Sequence, residues 1–264
     1  MLALIDGDIC VHRVGFTTEN DEFQIAKYRI DEMLDGILTD TGATAYRVYL
    51  SDITENGFRR AIYPEYKRNR IIPKPKHNDA LKEYLLTSEW KARIAMEQEA
   101  DDALGIDQIY VHPDVLSNDK RSVICSIDKD LLQIPGLHWN FVKKEWHDIS
   151  KEEGLRRFYY QLLTGDTSDN VRGVVGIGPV KAARLLGPYH SEEDFFLVAL
   201  RTYTEWLCRE WQLTEKELTP LRRKEIYDMI LVTGQVLKVR QQEDEIWTFP
   251  KAFQNLLPSS EPQS

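Results

Sequence analysis

Three short apolar runs in this chain each stop on aspartate, and that pattern limits the fold more than any other feature. Leu2 to Ile5 leads into Asp6-Gly7-Asp8, Ala45 to Leu50 into Ser51-Asp52, and Ser122 to Ser126 into Ile127-Asp128-Lys129-Asp130. Between them, apolar residues recur at helical spacing. Ile25, Ile30, Met33, Leu34, Ile37 and Leu38 predict a helix closed by Thr41-Gly42, and further helices are expected over Asp79 to Ile94 and Glu97 to Ile106. Strands alternating with helices predict an α/β fold with a central, mostly parallel sheet flanked by helices. Sheets of this kind bind ligands outside the carboxyl ends of their strands, which is where these aspartates fall.

From about Ser150 to about Arg240 the pattern turns helical, broken by Gly173-Val174-Val175-Gly176-Ile177-Gly178-Pro179. The expected organisation is an α/β core over 1–150 with a basic arch at about 58–96, a helical region over 151–250, and a flexible tail over 251–264. No run of about twenty apolar residues predicts a membrane span. The acidic start of the chain does not read as a signal peptide. Cys10, Cys125 and Cys208 are odd in number and far apart, which suits a reducing cytoplasm and neither a disulfide framework nor zinc. The histidines are scattered, with no pair at ligand spacing.

Five carboxylate clusters stand at expected strand ends and helix starts: Asp6 with Asp8, Asp52, Glu99-Ala100-Asp101-Asp102, Asp128-Lys129-Asp130, and Asp166-Thr167-Ser168-Asp169. Taken singly, each reads as a helix cap or a turn residue. Together they are costly, because two like charges about 4 Å apart repel by roughly 4 kcal/mol at an effective dielectric of 20. Oxygen-rich, histidine-poor donors suit magnesium or manganese, and a pair of such ions offsets the repulsion.

The formal charge of −9 hides an uneven distribution. Arg59, Arg60, Lys67, Arg68, Arg70, Lys74 and Lys76 lie close together with Glu65 as the only acid among them. Tyr66 beside Lys67 and Arg70 offers a ring for a base and cations for a phosphate. A solvated surface is the plain alternative for such a run. In the glycine segment, Gly176, Ile177 and Gly178 precede a helix opened by Pro179, with Lys181 and Arg184 one turn apart. Glycines admit backbone amides close to a phosphate, and a helix N-terminus favours the anion.

Taken in order, Leu4-Ile5-Asp6-Gly7-Asp8, Tyr66-Lys67-Arg68-Asn69-Arg70, Glu99-Ala100-Asp101-Asp102, Ser126-Ile127-Asp128-Lys129-Asp130 and the run from Gly165 to Gly178 resemble the 5′-nuclease family. That family contains flap endonucleases, the 5′-nuclease domain of bacterial DNA polymerase I and stand-alone phage 5′→3′ exonucleases; the phage enzymes look nearest. The resemblance implies a PIN-like core followed by a helix-hairpin-helix element at about 173–187. It implies a first cation held by Asp6, Asp52, Glu99, Asp101 and Asp102, and a second surrounded by Asp128, Asp130, Asp166 and Asp169. Lys67, Arg70 and Arg13 would act in catalysis. Tyr66, Arg68, Lys74, Lys76, Gly176, Ile177, Gly178, Lys181 and Arg184 would meet DNA.

The implied cofactors are two Mg2+ or Mn2+ and a K+ at the helix-hairpin-helix. Implied partners are double-stranded DNA with 5′ ends, nicks or flaps, RNA–DNA hybrid, and replication proteins. The location implied is the cytoplasm, of an infected bacterium if the gene is a phage's. The span from Arg70 to Glu99 is shorter than arches that enclose a threaded strand, which favours trimming from a duplex 5′ end. Two rivals are a haloacid-dehalogenase-like phosphatase with Asp6 as nucleophile, and a DNA-binding protein with a silent site.

Overall fold

The computed structural model describes residues 1–52, 57–71, 73–111 and 121–257. Its elements run β1 (Leu2–Asp6), α1 (Gly7–Thr17), α2 (Phe23–Thr41), β2 (Ala45–Ser51), α3 (Phe58–Ile62), α4 (Asn78–Thr87), β3 (Arg93–Ala95), α5 (Ala100–Val111), β4 (Ser122–Cys125), β5 (Gly136–Asn140) and β6 (Glu145–Ile149). They continue with α6 (Lys151–Thr164), β7 (Gly165–Asp166), β8 (Val171–Arg172), α7 (Pro179–Leu186), α8 (Glu192–Trp211) and α9 (Pro220–Leu237). The chain divides into two compact units that are not consecutive segments. The first comprises Met1–Phe58, Ile71–Glu153 and Val239–Glu245; the second comprises Arg59–Arg70, Gly154–Lys238 and the residues from Ile246 on. The basic stretch expected as one arch is thus divided between them at Arg70.

In the first unit a six-stranded sheet has the order β3-β2-β1-β4-β5-β6. Every pairing is parallel except β5 with β6. Its central strands are covered on both faces, which explains their unbroken apolar runs. Ile5, Val48, Leu50, Val123 and Cys125 pack towards Val11, Ile30, Leu34, Leu81 and Leu85 of α1, α2 and α4. Leu4, Tyr49 and Ile124 face the other way, onto Ala103 and Leu104 of α5. The expected sheet between helices is therefore present.

Gly7 opens α1 against the sheet. A Cβ there would lie 2.7 Å from the Tyr49 carbonyl oxygen and 2.8 Å from Val48 Cγ1, so no side chain fits without moving α1 off β2. α2 ends as its sequence predicts, with Gly42 in the left-handed region at φ +62°.

Two expectations need correction. The helix expected from Asp79 to Ile94 stops at Thr87, and Arg93–Ala95 instead forms β3 beside Tyr49–Ser51. Trp90 secures the turn between them, its indole N–H donating to Asp31 at 2.7 Å. Strands β5 and β6 had no reading in the sequence, because Gly136-Leu-His-Trp-Asn and Glu145-Trp-His-Asp-Ile lack a clean apolar alternation. Their Trp139 and Trp146 rings sit 5.0 Å apart across the pair.

The second unit packs α6, α7, α8 and α9 around an aromatic core that includes Phe158, Tyr159, Phe195, Phe196, Tyr203, Trp247 and Phe249. The two-stranded β7–β8 hairpin follows α6. A tail was expected from residue 251, but Lys251–Leu256 forms a 3-10 turn whose Phe253 ring lies 4.8 Å from that of Phe196. Residues 258–264 of that tail lie outside the described residues.

Candidate functional site

The parallel strands bring their carboxyl ends to one edge of the sheet, and the acids of the first unit follow from it. Asp6 is the last residue of β1 and the N-cap of α1; its Oδ1 accepts the Ile9 N–H at 3.0 Å. Its Oδ2 accepts the Ser126 hydroxyl at 2.7 Å. Ser126 Oγ in turn accepts the Asp128 N–H at 3.0 Å, and Asp128 Oδ1 accepts the Asp130 N–H at 2.8 Å. One relay of short-range bonds therefore fixes three of the expected ligand residues across β1 and β4.

On the other side of β1, Ser51 does similar work. Its N–H donates to Asp8 Oδ2 at 2.8 Å, and its Oγ accepts the Ala100 N–H at 2.9 Å, which ties the end of β2 to the first turns of α1 and α5. Asp52 follows, with Oδ2 accepting the Glu97 N–H at 3.2 Å. Glu99 and Asp101 flank the start of α5 and are half-buried. Asp8 also pairs with Lys82 of α4. Ser51, Ser126 and the Asp8–Lys82 pair were missed in the sequence, where a serine after a strand carries no mark of its own.

Asp102 is fully buried, and its Oδ1 accepts the Arg240 N–H at 3.0 Å, so it anchors Val239–Glu245 to the start of α5. Arg13 lines a cavity of about 370 Å³ with Arg29, Met33, Phe141 and Lys144, between α1, α2 and the β5–β6 turn.

Electrostatically, Asp6 is the anomaly of the cluster. Burial pushes its pKa up to about 7, two hydrogen bonds pull it down, and the charges of Asp8 and Asp128 push it up further. Among the described residues no three His, Cys, Asp or Glu side chains converge closely enough as placed to hold one ion. The donors are nevertheless of the right kind. They are carboxylate oxygens that repel one another, and the nearby thiols of Cys10 and Cys125 are held neutral by burial. A divalent cation fits this set of oxygen donors.

In the second unit, Asp166 Oδ1 accepts the Ser168 N–H at 2.7 Å. Asp169 is bound by Tyr66, Lys67 and Arg70. Tyr66 is 4% exposed and belongs to the core, so the expected stacking on a base is not open to it. Ile177 is likewise buried, at 6%, and its N–H is taken by the Val174 carbonyl at 3.1 Å. The glycines on either side, and Lys181 and Arg184 on α7, are exposed. Arg68 pairs with Glu65 on the surface. In the first unit Lys74 lies 3.8 Å from Asp79, and Lys76 reaches the Asp21 carbonyl at 3.4 Å.

Residues 1–160 match the model of the family described as 5'-3' exonuclease, N-terminal resolvase-like domain. The chain belongs to this 5′-3′ exonuclease family. DNA polymerase I of Rhizobium leguminosarum is 29% identical over 164 residues, which cover 57% of this chain and 16% of that protein. The flap endonuclease Xni of Shewanella baltica is 29% identical over 157 residues, 55% of this chain and 58% of the relative. The chain thus spans only part of the length of these relatives. In fold, it is similar to bacteriophage T5 flap endonuclease in a complex with DNA and metal ions, with a TM-score of 0.58 and 17% identity over 88% of each chain. At that identity the likeness speaks for the fold alone, and it agrees with the PIN-like core that the resemblance implied.

Proposed function

We propose that this 5′-3′ exonuclease family member is a divalent-cation-dependent nuclease that hydrolyses DNA phosphodiesters at 5′ ends, nicks or flaps. The observation that carries the reading is the Asp6 carboxyl, buried beside two other acids and pushed up to about 7. A group so placed costs stability when charged unless a cation shares the site.

Asp6, Asp52, Glu99 and Asp101 are the ligands proposed for one cation, with Asp128 and Asp130 turned towards a second. When bound, such ions lower the pKa of a water and neutralise charge on the phosphate. The protein's own part is to hold these oxygens in place. Ser126 fixes Asp6 against β4, and Ser51 fixes the start of α5. In the second unit, Lys67 and Arg70 offer positive charge to DNA phosphates, and Gly176, Gly178, Lys181 and Arg184 present a backbone-gripping surface. Magnesium as the physiological ion, a potassium ion at the turn 173–178, and action on RNA–DNA hybrid are proposed from the family resemblance alone.

The phosphatase alternative is disfavoured by the match of residues 1–160 to the 5′-3′ exonuclease family, and it leaves Glu99 to Asp102 and the Asp128–Asp130 pair without a role. Product sizing on 5′-labelled blunt, nicked and flapped duplexes across a magnesium titration tests the nuclease reading. Short 5′ products that vanish in EDTA are expected. Unchanged turnover in the Asp128→Ala, Asp130→Ala double variant would refute the cation assignment.

A further inference from the structure

Two stretches of the first unit that carry proposed ligands are tied together by a third, Val239–Glu245, which belongs to the same unit. The Arg240 N–H donates to Asp102 Oδ1 at 3.0 Å, and the Val239 N–H donates to Gln133 Oε1 at 3.2 Å. Asp102 lies in the first turn of α5, next to Asp101 and three residues from Glu99; Gln133 ends the 3-10 turn that Asp130 begins. Both acceptors are buried, so water cannot take the place of a lost donor. α5 is shaped for the contact. A Cβ on Gly105 would lie 2.4 Å from the Arg240 carbonyl oxygen and 2.9 Å from Ile134 Cδ1, so any side chain there pushes the segment off the helix.

The Arg240 side chain holds the segment in place. Its guanidinium sits 3.9 Å from the centre of the Phe58 ring, Nε donates to the Glu245 carbonyl at 3.0 Å, and Nη1 donates to Gln98 Oε1 at 3.3 Å. Glu245 Oε2 accepts the N–H groups of Gln241 and Gln242 at 2.6 and 3.2 Å, which closes residues 240–245 into a turn. Gln98 carries the anchoring onward, because its carbonyl accepts the Asp52 N–H at 3.4 Å. Asp52, Glu99 and Asp101 on one side, and Asp130 on the other, thus stand on backbone that Val239 and Arg240 connect. Like charges spread apart unless the backbone beneath them is held. Partners behind the ligands of a metal commonly govern its affinity by about 10–100-fold.

We propose that Arg240 is a positioning residue: with Val239 it fixes the start of α5 relative to the Asp130–Gln133 turn, and through that spacing it sets the affinity for divalent cations. The inference rests on the cation reading above and adds to it a residue distant in the chain from every proposed ligand.

The test is Mn2+ binding by the full chain, followed through the paramagnetic resonance of the free ion, in wild type, Arg240→Gln, Gly105→Ala and Leu34→Ala. Leu34 is buried in the core on the opposite face of the sheet and serves as the control for loss of stability alone. Each variant is titrated at a temperature where its circular dichroism is that of the folded protein. Arg240→Gln and Gly105→Ala weaken Mn2+ binding by about 10-fold. Leu34→Ala keeps the wild-type affinity, even where its melting temperature falls further. Arg240→Lys, which retains a charge over Phe58 without the paired donors, lies between wild type and Arg240→Gln. If Gly105→Ala does not fold, the two Arg240 variants carry the comparison.

Unchanged Mn2+ affinity in Arg240→Gln, or an equal loss in Leu34→Ala, would overturn the proposal and leave Val239–Glu245 as plain packing. A wild type that takes up no Mn2+ would sink the cation reading and this role with it. Variants that match a wild type which does bind sink only the role of Arg240.

Discussion

Asp6 shows how one side chain serves fold and site together. Its Oδ1 caps α1, an interaction usually worth about 1 kcal/mol, and its Oδ2 joins β1 to Ser126. With its carboxyl pushed up from 3.8 to about 7, the folded protein keeps a proton between those values that the unfolded chain has released. Cation-free stability therefore falls as pH rises from about 4 to about 7. His138 acts with the opposite sign. Burial lowers its imidazole from 6.5 to about 4, so stability is lost as pH falls through that window. The two effects oppose each other up to about pH 6.5, and the Asp6 slope alone continues to about 7. Thermal melts in EDTA should show it, and the gain from added magnesium should be larger at pH 8 than at pH 5. Equal gains at both would mean that the ion does not bind at Asp6. A second prediction concerns Ser126→Ala. It strips a hydrogen bond from a buried carboxyl, which costs about 1.5–3 kcal/mol where the partner is charged, and should shift the cation requirement upward in the cleavage assay. The carboxylates were legible in the sequence because aspartate after a strand is conspicuous; Ser51 and Ser126 were not, since their partners are distant in the chain and appear only when strands pair.

At the scale of elements, the close seat of α1 on β2 rests on Gly7. Gly7→Ala should destabilise the first unit by more than a surface Gly→Ala change would, seen as a lower denaturation midpoint, because the nearest obstacle is the Tyr49 backbone. The turn before α7 buries Ile177 between two exposed glycines, Gly176 and Gly178. Ile177→Ala opens the core and should cost about 2–5 kcal/mol of stability. Lys181→Ala should leave stability intact and weaken duplex binding, with the salt slope reduced by about 1. If both variants lose stability equally, Lys181 belongs to the packing and the turn is no interface. The glycines and the Pro-opened helix were readable from local chemistry. The end of α4 was not. Asp79 to Ile94 carries a helical pattern throughout, and only pairing of Arg93–Ala95 with β2 and the bond from Trp90 to Asp31 divide it. Tyr66 was misread for a related reason: an aromatic within a basic run looks exposed until the core that takes it is known.

For the molecule as a whole, the net charge of −9 says less than its placement. Acids that repel one another gather at the carboxyl ends of the sheet in the first unit, while Lys67, Arg70, Lys181 and Arg184 belong to the second. Each unit has its own core, so a ligand of one set need not stiffen the other. A divalent ion bound among Asp6, Asp52, Glu99 and Asp101 screens their repulsion and should restrain the backbone that carries them. Hydrogen exchange gives the measurement. On adding magnesium, the amides of Ile9, Ser51, Ala100, Asp128 and Asp130 should slow, since each is bonded to a residue of this acidic edge. Amides of α8 in the second unit should keep their rates, because that helix is buried among aromatic side chains and bears none of the proposed ligands. Protection spread evenly over both units would point to non-specific screening of a −9 chain, and would remove the edge of the sheet as the place where the ion acts.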